Sequence, residues 1–107
     1  MPYFLTQFKY PSSSWQSMVR APVDRFKMLS TMIDAMGGKM LCGFYCYGEY
    51  DGMIVAEADT EEKYLAIIVS VISSGGVSDV KTTVLFDSDK AMKAFEIAKN
   101  VPYQPPS

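Results

Sequence analysis

Residues 39–59 read KMLCGFYCY, GEYDG and MIVAEAD. The two outer runs are short and rich in aromatic, sulfur-bearing and branched side chains, which fit a pleated, half-buried strand better than a helix. The middle run is a loop bounded by Gly48 and Gly52. Together they predict a β-hairpin with strands Lys39–Tyr47 and Gly52–Asp59.

The segments on either side extend the pattern. Upstream, Val23, Phe26, Leu29, Ile33 and Met36 recur at spacings of 3, 3, 4 and 3, an amphipathic helical stripe, and Gly37-Gly38 ends it. That helix opens near Pro22, where proline is tolerated in a first turn. A shorter helix runs to about Arg20, with Ser13 and Gln16 at capping-box spacing. Downstream, Asp59 and Glu62 form a second capping pair for a helix from Thr60 to about Ser74, apolar enough to be largely buried. Tyr3–Tyr10, stopped by Pro11, is a first strand, and Val80–Phe86 a last one. Asp87 caps a final helix with Ala91, Met92, Phe95 and Ala98 toward the interior. The order β-α-β-β-α-β plus a C-terminal helix predicts an α+β, ferredoxin-like domain over residues 1–100, with one antiparallel sheet and helices on one face. Residues 101–107, with three prolines, form an extended tail.

Composition narrows the function. Ten Lys+Arg stand against 12 Asp+Glu, a net charge of −2, and no basic cluster offers a nucleic-acid footprint. The longest apolar run, Tyr64–Val69, is far short of the roughly 20 residues of a membrane span. No basic and apolar leader is visible after Met1, so the cytoplasm is expected. With no histidine, the usual general base, the commonest metal ligand and the usual haem ligand are missing, and Ser12, Ser13 and Ser14 cannot build a nucleophile triad. No metal or cofactor is expected.

Cys42 and Cys46 sit four apart on a strand, about 13 Å, too far for a disulfide. They read as small buried hydrophobes in a reducing compartment. The eight methionines read mainly as core fillers.

Alternation assigns the strand faces. Charged residues avoid the side under the helices, so the side bearing Lys9, Glu57 and Lys81 should be open. In strand two, Tyr45 and Tyr47 are expected to join it, leaving Cys42, Phe44 and Cys46 for the core. The open face then holds Leu5, Gln7, Lys9, Tyr45, Tyr47, Met53, Val55, Glu57, Lys81, Thr83 and Leu85. So apolar a surface implies a homodimer or larger homo-oligomer, with Glu57 paired to Lys9 or Lys81. Alternatively it lines a cavity for a small molecule, with Gln7, Tyr45, Tyr47, Glu57, Lys81 and Thr83 as candidate binding residues. In the loop, Asp51-Gly52 suits a tight turn, while Glu49 and Asp51 could pair as acids at a pocket mouth. No catalytic residue stands out.

Gly48-Glu49-Tyr50-Asp51, between Phe44-Tyr45 and Met53-Ile54-Val55, resembles the signature of the GYD-domain family. Gly37-Gly38, Glu57, Val71 to Gly75 and Lys81-Thr82-Thr83 add to the likeness, which covers about residues 24–99. The resemblance implies a ferredoxin-like fold of the dimeric α/β-barrel type and brings no reaction with it. The serine loop 12–14 and the proline-rich tail depart from the family pattern. Two functions remain: small-molecule binding on the open sheet face, with a cofactor-independent enzyme as one form of it, or a ligand-free structural or regulatory assembly unit.

Overall fold

Four strands and four helices follow one another in a computed structural model that describes residues 1–106: β1 (Tyr3–Lys9), α1 (Ser12–Arg20), α2 (Arg25–Ala35), β2 (Lys39–Tyr45), β3 (Gly52–Glu57), α3 (Glu61–Ser73), β4 (Asp79–Leu85) and α4 (Ser88–Ala98). The strands form one antiparallel sheet in the order β2-β3-β1-β4, the ferredoxin-like arrangement. Of the expected tail, residues 101–106 form no regular element, and Ser107 lies outside the described residues.

Period-two burial sets the core. Phe4, Thr6 and Phe8 of β1 and Ile54 and Ala56 of β3 point to one side, where Ile33 of α2 and Tyr64 and Ile67 of α3 meet them. Tyr64 stacks flat on Phe4, with ring centroids 4.2 Å apart. Its hydroxyl shares a 2.6 Å hydrogen bond with the hydroxyl of Thr6, which also lies 3.3 Å from that of Thr82. Met18, Met32, Met36 and Met40 pack around this core, as expected, whereas Met28 and Met92 are exposed.

Helix ends correct two of the expected caps. Pro11 stands at the N-cap of α1 with no side-chain cap, so the Ser13–Gln16 box does not form; Ser14 Oγ instead donates to the carbonyl of Gly76. Thr60, not Asp59, caps α3 by accepting from the Lys63 N–H, and Asp59 takes the Lys63 ammonium at 2.7 Å. Asp24 caps α2, and Asp87 caps α4 as expected. At the end of α2, the Gly38 N–H reaches the Ile33 carbonyl and the Gly37 N–H that of Asp34, with Gly37 at φ +83°. This paired closure needs a left-handed residue, which glycine supplies without strain.

Among the described residues nothing covers the expected inner side of α4. None of its residues is buried, and it makes no substantial packing with the other elements.

Candidate functional site: the open face of the sheet

Three of the four strands present the faces that alternation predicts. The side away from the helices carries Tyr3, Leu5, Gln7 and Lys9 from β1, Met53, Val55 and Glu57 from β3, and Lys81, Thr83 and Leu85 from β4. The second strand is turned over. Its ladder to β3 pairs Met40 with Ala56, then Cys42 with Val55, so Leu41 is an extra residue in a β-bulge. Past the bulge every side chain changes face. Cys42 and Phe44 lie on the open side, and Gly43 and Tyr45 on the helix side.

Packing agrees with the register. Tyr45 stacks on Phe26 of α2, centroids 4.3 Å apart and planes 17° from parallel. A Cβ on Gly43 would lie 3.3 Å from the Phe26 ring, so the absent side chain makes room for it. Tyr45 is therefore a helix-side residue, contrary to expectation. Tyr47 falls beyond the end of β2 and is 97% exposed. Cys42 and Cys46 are free and exposed, not buried. Cys46 donates to the Tyr50 carbonyl at 3.3 Å.

Across the sheet the open face reads in rows. One runs Lys39, Glu57, Tyr3, Leu85; the next Cys42, Val55, Leu5, Thr83; the third Phe44, Met53, Gln7, Lys81. Of the candidate binding residues, Gln7, Lys81 and Thr83 are thus neighbours. Glu57 is not among them: it sits opposite Tyr3, four residues and about 13 Å along β1 from Gln7. Within one chain its cross-strand neighbour is Lys39, and among the described residues it forms no ion pair with Lys9 or Lys81. Lys9 instead donates to the Glu49 carbonyl at 2.7 Å. Among the described residues no helix is packed on this face, and Leu5, Gln7, Met53 and Val55 at its centre are half-buried.

The loop residues serve the backbone. Asp51 Oδ2 accepts from the Tyr10 N–H at 2.9 Å, the Asp51 N–H donates to the Phe8 carbonyl, and the Asp51 carbonyl accepts from Cys46. Gly52 lies directly under the Phe8 ring, where a Cβ would come within 2.6 Å of a ring carbon. One loop thus ties the hairpin to the end of β1. One oxygen of the Asp51 carboxylate is thus engaged in holding the backbone of Tyr10. Among the described residues no cluster of three or more His, Cys, Asp or Glu could hold a metal ion, and no helix is long and apolar enough to cross a membrane.

A formed cavity of about 240 Å³ lies on the opposite side, between α2, α3 and the sheet. Phe8, Met32, Ile67, Val71 and Val80 are among its apolar walls, and Tyr10 and Arg25 supply polar groups. Burial pushes the Tyr10 phenol up to about 12; Tyr45 and Asp51 add to the rise and Arg25 opposes it. Periodicity in the sequence places Phe8, Ile67, Val71 and Val80 toward the interior but carries no sign of the space between the helices.

The chain is similar in fold to several solved structures. TTHA0845 from Thermus thermophilus superposes with a TM-score of 0.53 at 15% identity, covering 82% of this chain and 96% of that one. Hypothetical protein PHS023 from Pyrococcus horikoshii gives 0.52 at 17%, covering 82% and 93%. The transcriptional regulator NMB0573 from Neisseria meningitidis, solved as an L-Met complex, gives 0.51 at 13%, covering 81% and 51%. Comparison with curated proteins finds no match. The GYD domain model matches residues 4–95, from the first strand into the last helix. That match takes in the hairpin, the loop that ties it to β1 and all four strands of the sheet, and the chain belongs to the GYD-domain family.

Proposed function

We propose that the protein is a self-associating small-molecule binder. Two copies lay their open sheet faces together, and the space between them holds the ligand. The observation that carries this reading is the open face itself: Leu5, Met53, Val55 and Phe44 form an apolar field around Gln7, with Lys81 and Thr83 beside it. A few polar groups in apolar surroundings are what small-molecule sites are made of, and uncovered apolar faces of this kind invite association. Glu57 and Lys39 then meet the second copy at the margin. No catalytic group is assigned. A reducing cytoplasm suits the two exposed thiols.

Native mass spectrometry of protein purified from its own source tests both halves. The expected result is a dimer or a multiple of it that carries a small non-covalent mass. A monomer without such a mass would overturn the proposal.

A second reading is an assembly unit without a ligand. The row Lys39–Glu57 favours it, because charges of both signs can pair across a two-fold axis with nothing between the sheets. In that case the same experiment returns a bare oligomer.

A further inference from the structure

Two apolar surfaces of this chain have no partner among the described residues, and they match. The first is α4 with the residues that follow. Ala91, Met92, Phe95 and Ala98 share one side of the helix, by their three- and four-residue spacing. Phe95 is nevertheless 60% exposed, and Ile97, Val101 and Tyr103 are exposed as well. The helix stands off the body. The radius of gyration is 17.3 Å, against about 13 Å for a compact domain of this length, and the longest dimension is 58 Å against 35 and 22 Å.

The second surface is a groove of about 290 Å³ between α3 and β4. Phe4, Tyr64, Leu65, Ile68 and Thr82 line it, and Glu61 and Glu62 stand at its edge. Leu65 is 61% exposed, and Val84, on the same side of β4 as Thr82, is exposed too. α2 and α3 pack over the core residues of β1 and β3; on β4, Val80 joins that core while Val84, farther along the strand, is left exposed.

We propose that α4 of a second copy lies in this groove, and that two copies exchange the helix reciprocally about a two-fold axis. The size fits. Met92 and Phe95 on that side of the helix, with Val101 and Tyr103 beyond it, are 54–75% exposed, so at about 150–200 Å² for each large side chain the arm offers roughly 400 Å², and the groove adds its own share toward the ~800 Å² that one partner contributes to a standard interface. The connection from β4 to α4 is only Phe86-Asp87, and the helix leaves the end of the sheet instead of turning back over its own strand. One symmetric exchange covers two grooves and two arms at once. This contact is separate from the facing of the open sheets and does not depend on it.

The experiment is site-directed cross-linking of the full chain in a Cys42→Ser, Cys46→Ser background. One preparation carries Glu62→Cys at the groove, and a second, tagged preparation carries Ala94→Cys on the arm. They are mixed, unfolded and refolded together, and treated with a short bismaleimide. A covalent tagged–untagged pair is expected, at least about tenfold reduced when the arm chain also carries Phe95→Asp, since losing one buried aromatic side chain costs at least that factor. The Val55→Asp change, which opposes sheet-to-sheet facing, should leave the pair in place, so failure of the two ideas can be told apart. A chain carrying both cysteines that cross-links only within itself would overturn exchange in favour of back-folding. So would the absence of any cross-link in protein shown to be folded by circular dichroism.

Discussion

The hydroxyl of Tyr64 on α3 and the hydroxyl of Thr6 on β1 are 2.6 Å apart, and both residues are almost fully buried. This is the polar centre of an otherwise apolar core. Burial raises the Tyr64 phenol above its usual value, partly offset by the bond to Thr6. Tyr64→Phe keeps the ring on Phe4 and removes the bond, leaving Thr6 only its longer contact with Thr82. A loss of about 1–2 kcal/mol is expected. Urea unfolding should show a lower midpoint with an unchanged slope.

Tyr10 makes stability depend on alkaline pH. Its phenol is raised from 10.0 to about 12 in the folded chain. The folded state holds this proton more tightly than the unfolded state does. The stabilisation is therefore complete below pH 10 and is lost as pH rises toward 12. Denaturation midpoints followed from neutral pH into this window should fall, and they should fall less steeply in Tyr10→Phe.

Gly38 tests the joint between α2 and the sheet. A Cβ there would sit 2.5 Å from the Glu57 carbonyl oxygen and 3.0 Å from an Ile33 methyl. The first of these is backbone in a paired strand and cannot swing aside. Gly38→Ala should cost about 1–3 kcal/mol, the range for forced overpacking. A thermal melt unchanged by the substitution would contradict the close approach.

The open face gives a chemical readout. Val55 lies at its centre, between Leu5 and Cys42. If faces cover one another, Cys42 is shielded from a thiol reagent while Cys46, beyond the end of β2, stays reactive. Wild-type protein should show one fast thiol per chain, and Val55→Asp two, together with a smaller mass by light scattering. Two equally fast thiols in the wild type would count against sheet-to-sheet association.

Much of this was legible in the sequence, and the failures have one main physical source. Lys9, Glu57 and Lys81 mark the open side of their strands because a charge under a helix is too costly to keep. β2 has only Lys39 as such a marker, at its first residue. Strict alternation from Lys39 sends Tyr45 outward and Phe44 inward, and the bulge at Leu41 reverses both. No residue type announces that bulge. Gly43 was the available signal, since a glycine inside a strand often marks a close approach, here by Phe26. The capping errors are of a smaller kind: Asp59 and Thr60 are both good caps, and the sequence does not say which one closes the turn. The outward course of α4 has no local signature, because an amphipathic stripe requires a partner without naming the chain that provides it.

The bulge at Leu41 also bears on how the sheet can grow. β2 and β4 are the two outer strands, each with a line of backbone donors and acceptors facing no neighbour. Such rims are templates on which further strands can add without limit, and irregular pairing and lysines are common safeguards against it. Here one rim is kinked at Leu41 and begins with Lys39, and the other carries Lys81. Strand-by-strand extension into fibrils is discouraged at both rims. The face-to-face contact proposed above closes on itself, so a chain exposing this much apolar surface would by that route form a finite particle.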